Sequence, residues 1–279
     1  MARVFITGSS DGLGLMAGRL LAGQGHAVVL HARSRTRAED AQAALAPPEA
    51  AGVVVGDLSS VAGIRQVAEQ ADAAGPFDAV IHNAGVGHRD QPHRVTTEDG
   101  LSLVFTVNVL APYVLTALMR PTGLERPARL VYLSSGRHRD AEASLADAQW
   151  ERRPWNGFQA YSESKLLDVA LTFAVARRWP DVRVNGVEPG WVPTKMGGPA
   201  APDDLSLGSV TQAWLAVSDD PAATGTGGYF FHQRPQETHP AARDVAFQDE
   251  LLGYCAGLAG VELPRVPVRG RSGSEGRPR

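Results

Sequence analysis

Tyr161 and Lys165 stand four residues apart in the stretch AYSESK, Ala160 to Lys165, which opens the apolar run LLDVALTFAVA. Residues four apart share one face of a helix, so a phenol and an ammonium would project side by side. A phenol titrates near pH ~10 and is a poor acid or base at neutral pH unless a neighbouring cation stabilises its anion. Lys165 could supply that cation, and Ser135, closing the run RLVYLSS, could donate to a carbonyl oxygen. The three together could pass a proton to a carbonyl while hydride arrives from a nicotinamide, which is carbonyl reduction or, in reverse, alcohol oxidation. The same spacing also occurs on ordinary surface helices, so the pair gains meaning only from the elements around it.

Those elements alternate. Short Val, Ile and Leu runs begin at Arg3 (RVFIT), Ala27 (AVVLHA), Gly52 (GVVVGD), Phe77 (FDAVIHNAG), Arg129 (RLVYLSS) and Val182 (VRVNGVEPG), each closed by Gly, Ser, Asp or Asn. Runs of this kind are strands buried on both faces. Helical spacing fills the intervals, as in LGLMAGRLLAGQG, VAGIRQVAEQADAAG and VFTVNVLAPYVLTALM. The alternation predicts an α/β fold: a three-layer, Rossmann-like, doubly wound parallel sheet in a single domain, with chemistry beyond the carboxyl ends of the strands. That domain is expected to span residues 1–263, with a Gly-, Pro- and Ala-rich lid over the crevice at about 195–228. TGTGGYFFH reads as a turn into a last strand, and a terminal helix is expected from about Pro240 to Ala259.

The first strand runs into TGSSDGLGLMAGRLL, with glycines at Gly8, Gly12 and Gly14. Small residues let backbone approach a pyrophosphate, and the helix that follows offers unpaired N–H groups and the positive end of its dipole. The second strand ends in LHARSRTR, where Arg33, Ser34, Arg35 and Arg37 precede the first acid, Glu39. Guanidinium groups there suit the 2′-phosphate of NADP, whereas NAD would call for a carboxylate. A solvated basic loop is the other reading of these arginines. Asp57 in GDLSS could contact adenine or cap the next helix, and Asn83, Ala84 and Gly85 could lie against the adenosine half or simply turn the chain.

In order, TGSSDGLG, HNAG, VNVLAP, LSSG, YSESK and PGWVPT resemble the short-chain dehydrogenase/reductase superfamily, closely over Arg3 to Thr194 and loosely beyond. The resemblance implies a ketoreductase-like oxidoreductase with Asn108, Ser135, Tyr161 and Lys165 as its catalytic set. Asn108 would hold a water linked to the lysine, Ser135 rather than Ser134 would orient substrate, and Lys165 would stabilise the tyrosinate and hold the nicotinamide ribose. It implies cofactor contacts at Thr7, Gly8, Ser10, Gly12, Leu13, Gly14, Arg33, Ser34, Asp57, Leu58, Asn83, Ala84, Gly85, Tyr161, Lys165, Pro189, Gly190, Val192 and Thr194. The interval from Ser135 to Tyr161 is long and carries DAQWERRPWNGFQA, similar to the retinol dehydrogenase-like branch, and KMGGPAAPDDLSLG is similar to uncharacterised bacterial members. Trp150, Trp155, Phe158, Trp191 and Met196 could line an apolar or aromatic substrate pocket or pack an inserted loop.

Other function classes find less support. With a net charge of −3 over 279 residues there is no general attraction to nucleic acid. The basic tail, residues 264–279, reads as disorder, with a phosphate-binding or nucleic-acid-binding arm as the alternative. No run approaches the ~20 apolar residues of a membrane helix, and the expectation is a cytoplasmic enzyme, with a homo-oligomer among its expected partners. His82, His88 and His93 lack the spacing of a closed zinc site, so no metal is expected. Cys255, the single cysteine, reads as a packing residue before a nucleophile. An NAD-linked alcohol dehydrogenase and a non-catalytic NADP-sensing protein remain as alternatives to NADP(H)-dependent turnover.

Overall fold

The six apolar runs and the expected last strand all become strands in the computed structural model, which describes residues 1–45, 50–89, 91–119 and 124–265. They are β1 Arg3–Ile6, β2 Ala27–Ala32, β3 Ala50–Val55, β4 Phe77–His82, β5 Leu124–Leu133, β6 Arg183–Glu188 and β7 Gly228–Phe231. All pair in parallel, in the order β3-β2-β1-β4-β5-β6-β7. The order reverses between β1 and β4, and the carboxyl ends of those two strands flank the crevice where doubly wound sheets bind ligands.

Alternate side chains of the strands feed two apolar layers. Phe5 points to one face with α3 Val61–Ala74, α5 Ala111–Met119, α6 Gly157–Arg178 and α8 Val245–Ala259. Val4 and Ile6 point to the other, with α1 Gly12–Gly23, α2 Arg35–Leu45 and α7 Val210–Val217. The longest helix, α6, is buried from Ser162 to Ala176. It begins at Gly157, ahead of AYSESK, because Asn156 accepts from the Gln159 N–H at 3.1 Å and caps it. The core holds Cys255 fully buried, and burial pushes its thiol upward, so it packs as an apolar residue.

Four local features depart from the sequence reading. A short β8, Arg234–Pro235, runs antiparallel to β7 and ends the sheet. The turn between them is His232–Gln233, both at positive φ (48° and 63°), a conformation that normally announces itself through Asn or Gly. Second, α7 falls inside the segment expected to be a lid and buries Thr211, Gln212, Ala213, Leu215 and Ala216, so this part of it packs into the core. Third, the C-terminal helix is interrupted: Pro240–Arg243 is a 3-10 turn, and Asp244 starts α8 by accepting from the N–H groups of Ala246 and Phe247 at 2.7 and 3.0 Å. Fourth, the helix before β5 is α4 Leu103–Phe105, a π-helical turn at Thr106–Leu110, and then α5. The basic tail lies outside the described residues from 266 onward.

Candidate active site

The glycine loop needs its glycines. Gly8 and Gly12 have φ of +61° and +53°. A Cβ on Gly8 would come within 2.7 Å of Ala84 Cα, and one on Gly14 within 2.5 Å of Asn83 Nδ2 and 2.7 Å of the Gly8 carbonyl oxygen. This crowding follows from a staple between β1 and β4. Asn83 Nδ2 donates to the carbonyls of Thr7 (2.9 Å) and Gly8 (3.1 Å), while the N–H groups of Asn83 and Ala84 donate to Thr7 Oγ1, both at 3.0 Å. Asp11 caps α1 through the Gly12 N–H at 2.8 Å and pairs with Lys195, which reaches across from the crevice-covering segment.

His31 fixes the same loop from β2. Its Nδ1 accepts from the Gly8 N–H at 2.9 Å and its Nε2 bonds the Gly56 carbonyl at 3.0 Å, the pattern of a neutral ring. Burial holds its pKa down at about 4. Nothing in the composition of AVVLHA marked this histidine as a support for the loop; its position at a strand end was the available signal.

A cleft of about 840 Å³ runs from this loop to Tyr161. Of the expected cofactor residues it is lined by Gly8, Ser10, Gly12, Leu13, Arg33, Asp57, Leu58, Asn83, Ala84, Gly85, Tyr161, Lys165, Pro189 and Thr194. Thr7 and Gly14 stand behind the lining as buried supports. Ser34, Gly190 and Val192 do not line it: the Ser34 hydroxyl accepts from the Arg37 N–H, Gly190 (φ +87°) is a turn against Asp203, and Val192 is buried beside Gly208. Arg37, on the first turn of α2, joins Arg33 at the cleft wall. Asp57 does not cap α3; Ser60 does, accepting from the Gly63 N–H, and Asp57 is left exposed beside the cleft.

At the other end Tyr161 is half-buried and Lys165 is buried, its Nζ donating to the Leu133 carbonyl at 2.6 Å. Asn108 sits inside the π-helical turn, where one extra residue per turn re-aims a side chain. Its Nδ2 donates to Ser164 Oγ at 2.9 Å, and that hydroxyl in turn donates to the Tyr161 carbonyl at 2.7 Å. Its Oδ1 accepts from the Val86 N–H at 2.8 Å. The two serines after β5 have different surroundings. Ser134 is buried and donates to the Lys165 carbonyl at 2.9 Å, whereas Ser135 is half-exposed and its Oγ accepts from the Arg137 N–H at 3.3 Å. Ser134, not Ser135, lines the cleft.

The aromatic loop divides in two. Trp150 is buried, at φ +56°, with its Nε1 on Glu163 and the Arg153 guanidinium 3.7 Å over its ring. It is an anchor of the inserted loop, and Trp155 packs edge-on against it. Phe158, Trp191 and Met196 are instead 37%, 47% and 41% exposed. The His88 ring lies 5.4 Å from Phe158 and 5.9 Å from Tyr161, and burial together with Arg89 and Arg137 pushes its pKa down. His82 is core, bonded to Thr116, and His93 is exposed.

Comparison with known proteins places this geometry. Residues 2–204 match the short chain dehydrogenase family. The chain belongs to the short-chain dehydrogenase family. It is 44% identical to the uncharacterized oxidoreductase AN7799 of Emericella nidulans, over 95% of this chain and 99% of that one. It is 42% identical to the short-chain dehydrogenase chyC of Penicillium rubens, over 95% and 100%. A crystal structure of an uncharacterized protein from Mycobacterium paratuberculosis superposes with a TM-score of 0.79 at 26% identity, covering 95% of both chains. As an oxidoreductase of this family the chain meets a nicotinamide cofactor, and the cradle at Gly8, Gly12 and Gly14, which added Cβ atoms would distort or fill, fits one. No helix among the described residues is long and apolar enough to cross a membrane.

Proposed function

We propose that this short-chain dehydrogenase reduces a ketone or aldehyde at the expense of NADPH, or oxidises the matching alcohol with NADP. The observation that carries the reading is the junction of one continuous cleft with both Tyr161 and Lys165, its far end walled by Arg33 and Arg37. A bound nicotinamide supplies or accepts the hydride. Tyr161 gives its phenolic proton to the carbonyl oxygen, and Ser135 donates a hydrogen bond to that same oxygen. Lys165 keeps an ammonium beside the phenol and the cofactor ribose. Asn108, tied to the Tyr161 backbone through Ser164, holds the base of this arrangement. Arg33 and Arg37 favour a 2′-phosphate because each offers planar donors and positive charge where NAD would need a carboxylate. The exposed rings of Phe158 and Trp191 suit an apolar or aromatic substrate.

The test is loss of NADPH absorbance across a panel of aromatic and aliphatic carbonyls, run beside NADH. Turnover with NADPH that Tyr161→Phe abolishes supports the reading. Binding of NADPH with no turnover of any carbonyl would favour a non-catalytic sensor, and equal efficiency with NADH would remove the argument from the arginines.

A further inference from the structure

Asp168 lies one turn beyond Lys165 on α6, among leucines, valines and alanines. It is 2% exposed, its Oδ2 stands 3.7 Å from Lys165 Nζ, and no hydrogen-bond donor among the described residues reaches that oxygen. A carboxylate removed from water without a partner costs several kcal/mol, and an apolar side chain of similar size would pack here without that cost. The ammonium is what makes the acid tolerable, and the acid in turn acts on the ammonium.

Among the described residues Lys165 is the one cation acting on Asp168, and the titratable groups facing it from neighbouring strands are phenols, Tyr132 on β5 and Tyr229 on β7. Burial pushes both phenols upward, with Glu188 and then Asp168 adding to it at Tyr229 and Asp168 at Tyr132, so they stay neutral. Burial pushes Asp168 itself up to about 7 while Lys165 pulls it down, which leaves the carboxylate ionised on the alkaline side of neutrality. On its other side Lys165 Nζ donates to the Leu133 carbonyl at 2.6 Å. An ammonium has three protons; with Leu133 taking one and Asp168 attracting a second, one direction remains for the cleft that Lys165 lines.

We propose that Asp168 is a positioning residue: its buried carboxylate holds the Lys165 ammonium against the Leu133 carbonyl, so that the lysine presents a fixed N–H to the cleft beside Tyr161. This rests on the role given to Lys165 above. Simple charge compensation in a helix interior would leave the lysine head free to move, whereas here the head loses its freedom when, and only when, the acid is present.

Lys165 and Lys195 are the only lysines in the chain, which makes the lysine head directly observable. The full-length protein is labelled with ¹⁵N-lysine and the ammonium ¹H–¹⁵N spectrum is recorded at about pH 8, with and without NADP. A held, buried ammonium exchanges slowly and gives a cross-peak, Lys195 is exposed, and Lys195→Arg assigns the signal. The expected result is a Lys165 peak in the wild type that disappears in Asp168→Asn and returns in Asp168→Glu. With a carbonyl that the wild type reduces, kcat of Asp168→Asn falls by about tenfold or more at little change in substrate KM, as displacement of a positioned group does. An unchanged peak in Asp168→Asn overturns the proposal, as does a wild type with no Lys165 peak. If Asp168→Asn does not fold, Asp168→Ser takes its place under the same criteria. A wild type that binds NADPH and reduces no carbonyl refutes the proposed function, and the spectrum still decides the role of Asp168.

Discussion

Acid should loosen the cofactor cleft through His31. The ring is buried and neutral, with Nδ1 accepting from the Gly8 N–H and Nε2 donating to the Gly56 carbonyl. A proton on Nδ1 would remove the acceptor and place an uncompensated charge in the core. The folded-state pKa is about 4 against an ordinary 6.5. Because the unfolded chain binds the proton more readily, the contribution of His31 is fully present above pH 6.5 and is lost as pH falls towards 4. At about 1.4 kcal/mol per pH unit the whole loss is about 3 kcal/mol, of which about 2 kcal/mol falls between pH 7 and pH 5. His82, held down to about 3, and His138, held down to about 4, act in the same direction. Asp168, raised from 3.8 to about 7, acts in the opposite one and gains stability over that window. The wild-type curve is therefore a composite, and a difference isolates the residue. Urea unfolding of the wild type and of His31→Gln at pH 7 and pH 5 should show the stability gap between the two proteins narrowing by about 2 kcal/mol in acid. A gap that stays constant with pH would refute the assignment of a neutral, loop-holding His31.

Gly14→Ala places a methyl against the Gly8 carbonyl oxygen and the Asn83 amide, and should weaken NADPH binding about tenfold or more in a fluorescence titration. Tyr161→Phe should lower kcat by about a hundredfold or more while leaving the NADPH dissociation constant within about twofold. Arg33→Glu should shift the kcat/KM ratio from NADPH towards NADH by about tenfold or more, and adding Arg37→Glu should extend the shift. Glu163→Gln removes the buried charge on which Arg153 and the Trp150 indole converge, and should cost about 2 kcal/mol in urea unfolding. NADPH affinity should not move, because that anchor is outside the cleft.

The layers of this fold were legible because strands buried on both faces and helices buried on one leave different periods in the sequence. The glycine loop, the arginines after β2 and the Tyr161–Lys165 pair were legible for a similar reason: each is a local arrangement, set within a few residues by spacing and by strand or helix ends. What the sequence concealed depends on distant partners. Asn108 is aimed by a π-helical turn, a backbone feature that residue spacing does not announce. His31 became a support for the loop only when β2 came to lie beside β1. Trp150 became an anchor because Glu163 and Arg153 meet it, whereas Phe158, equally aromatic and nearer to Tyr161 in sequence, stayed exposed. Asp168 looks like any polar residue in a helix until the burial of α6 removes water from around it and leaves Lys165 as its partner. Local spacing thus decided which groups could do chemistry, and burial decided which of their neighbours act on them, because both desolvation and the long-range contacts that offset it exist only once the chain is packed.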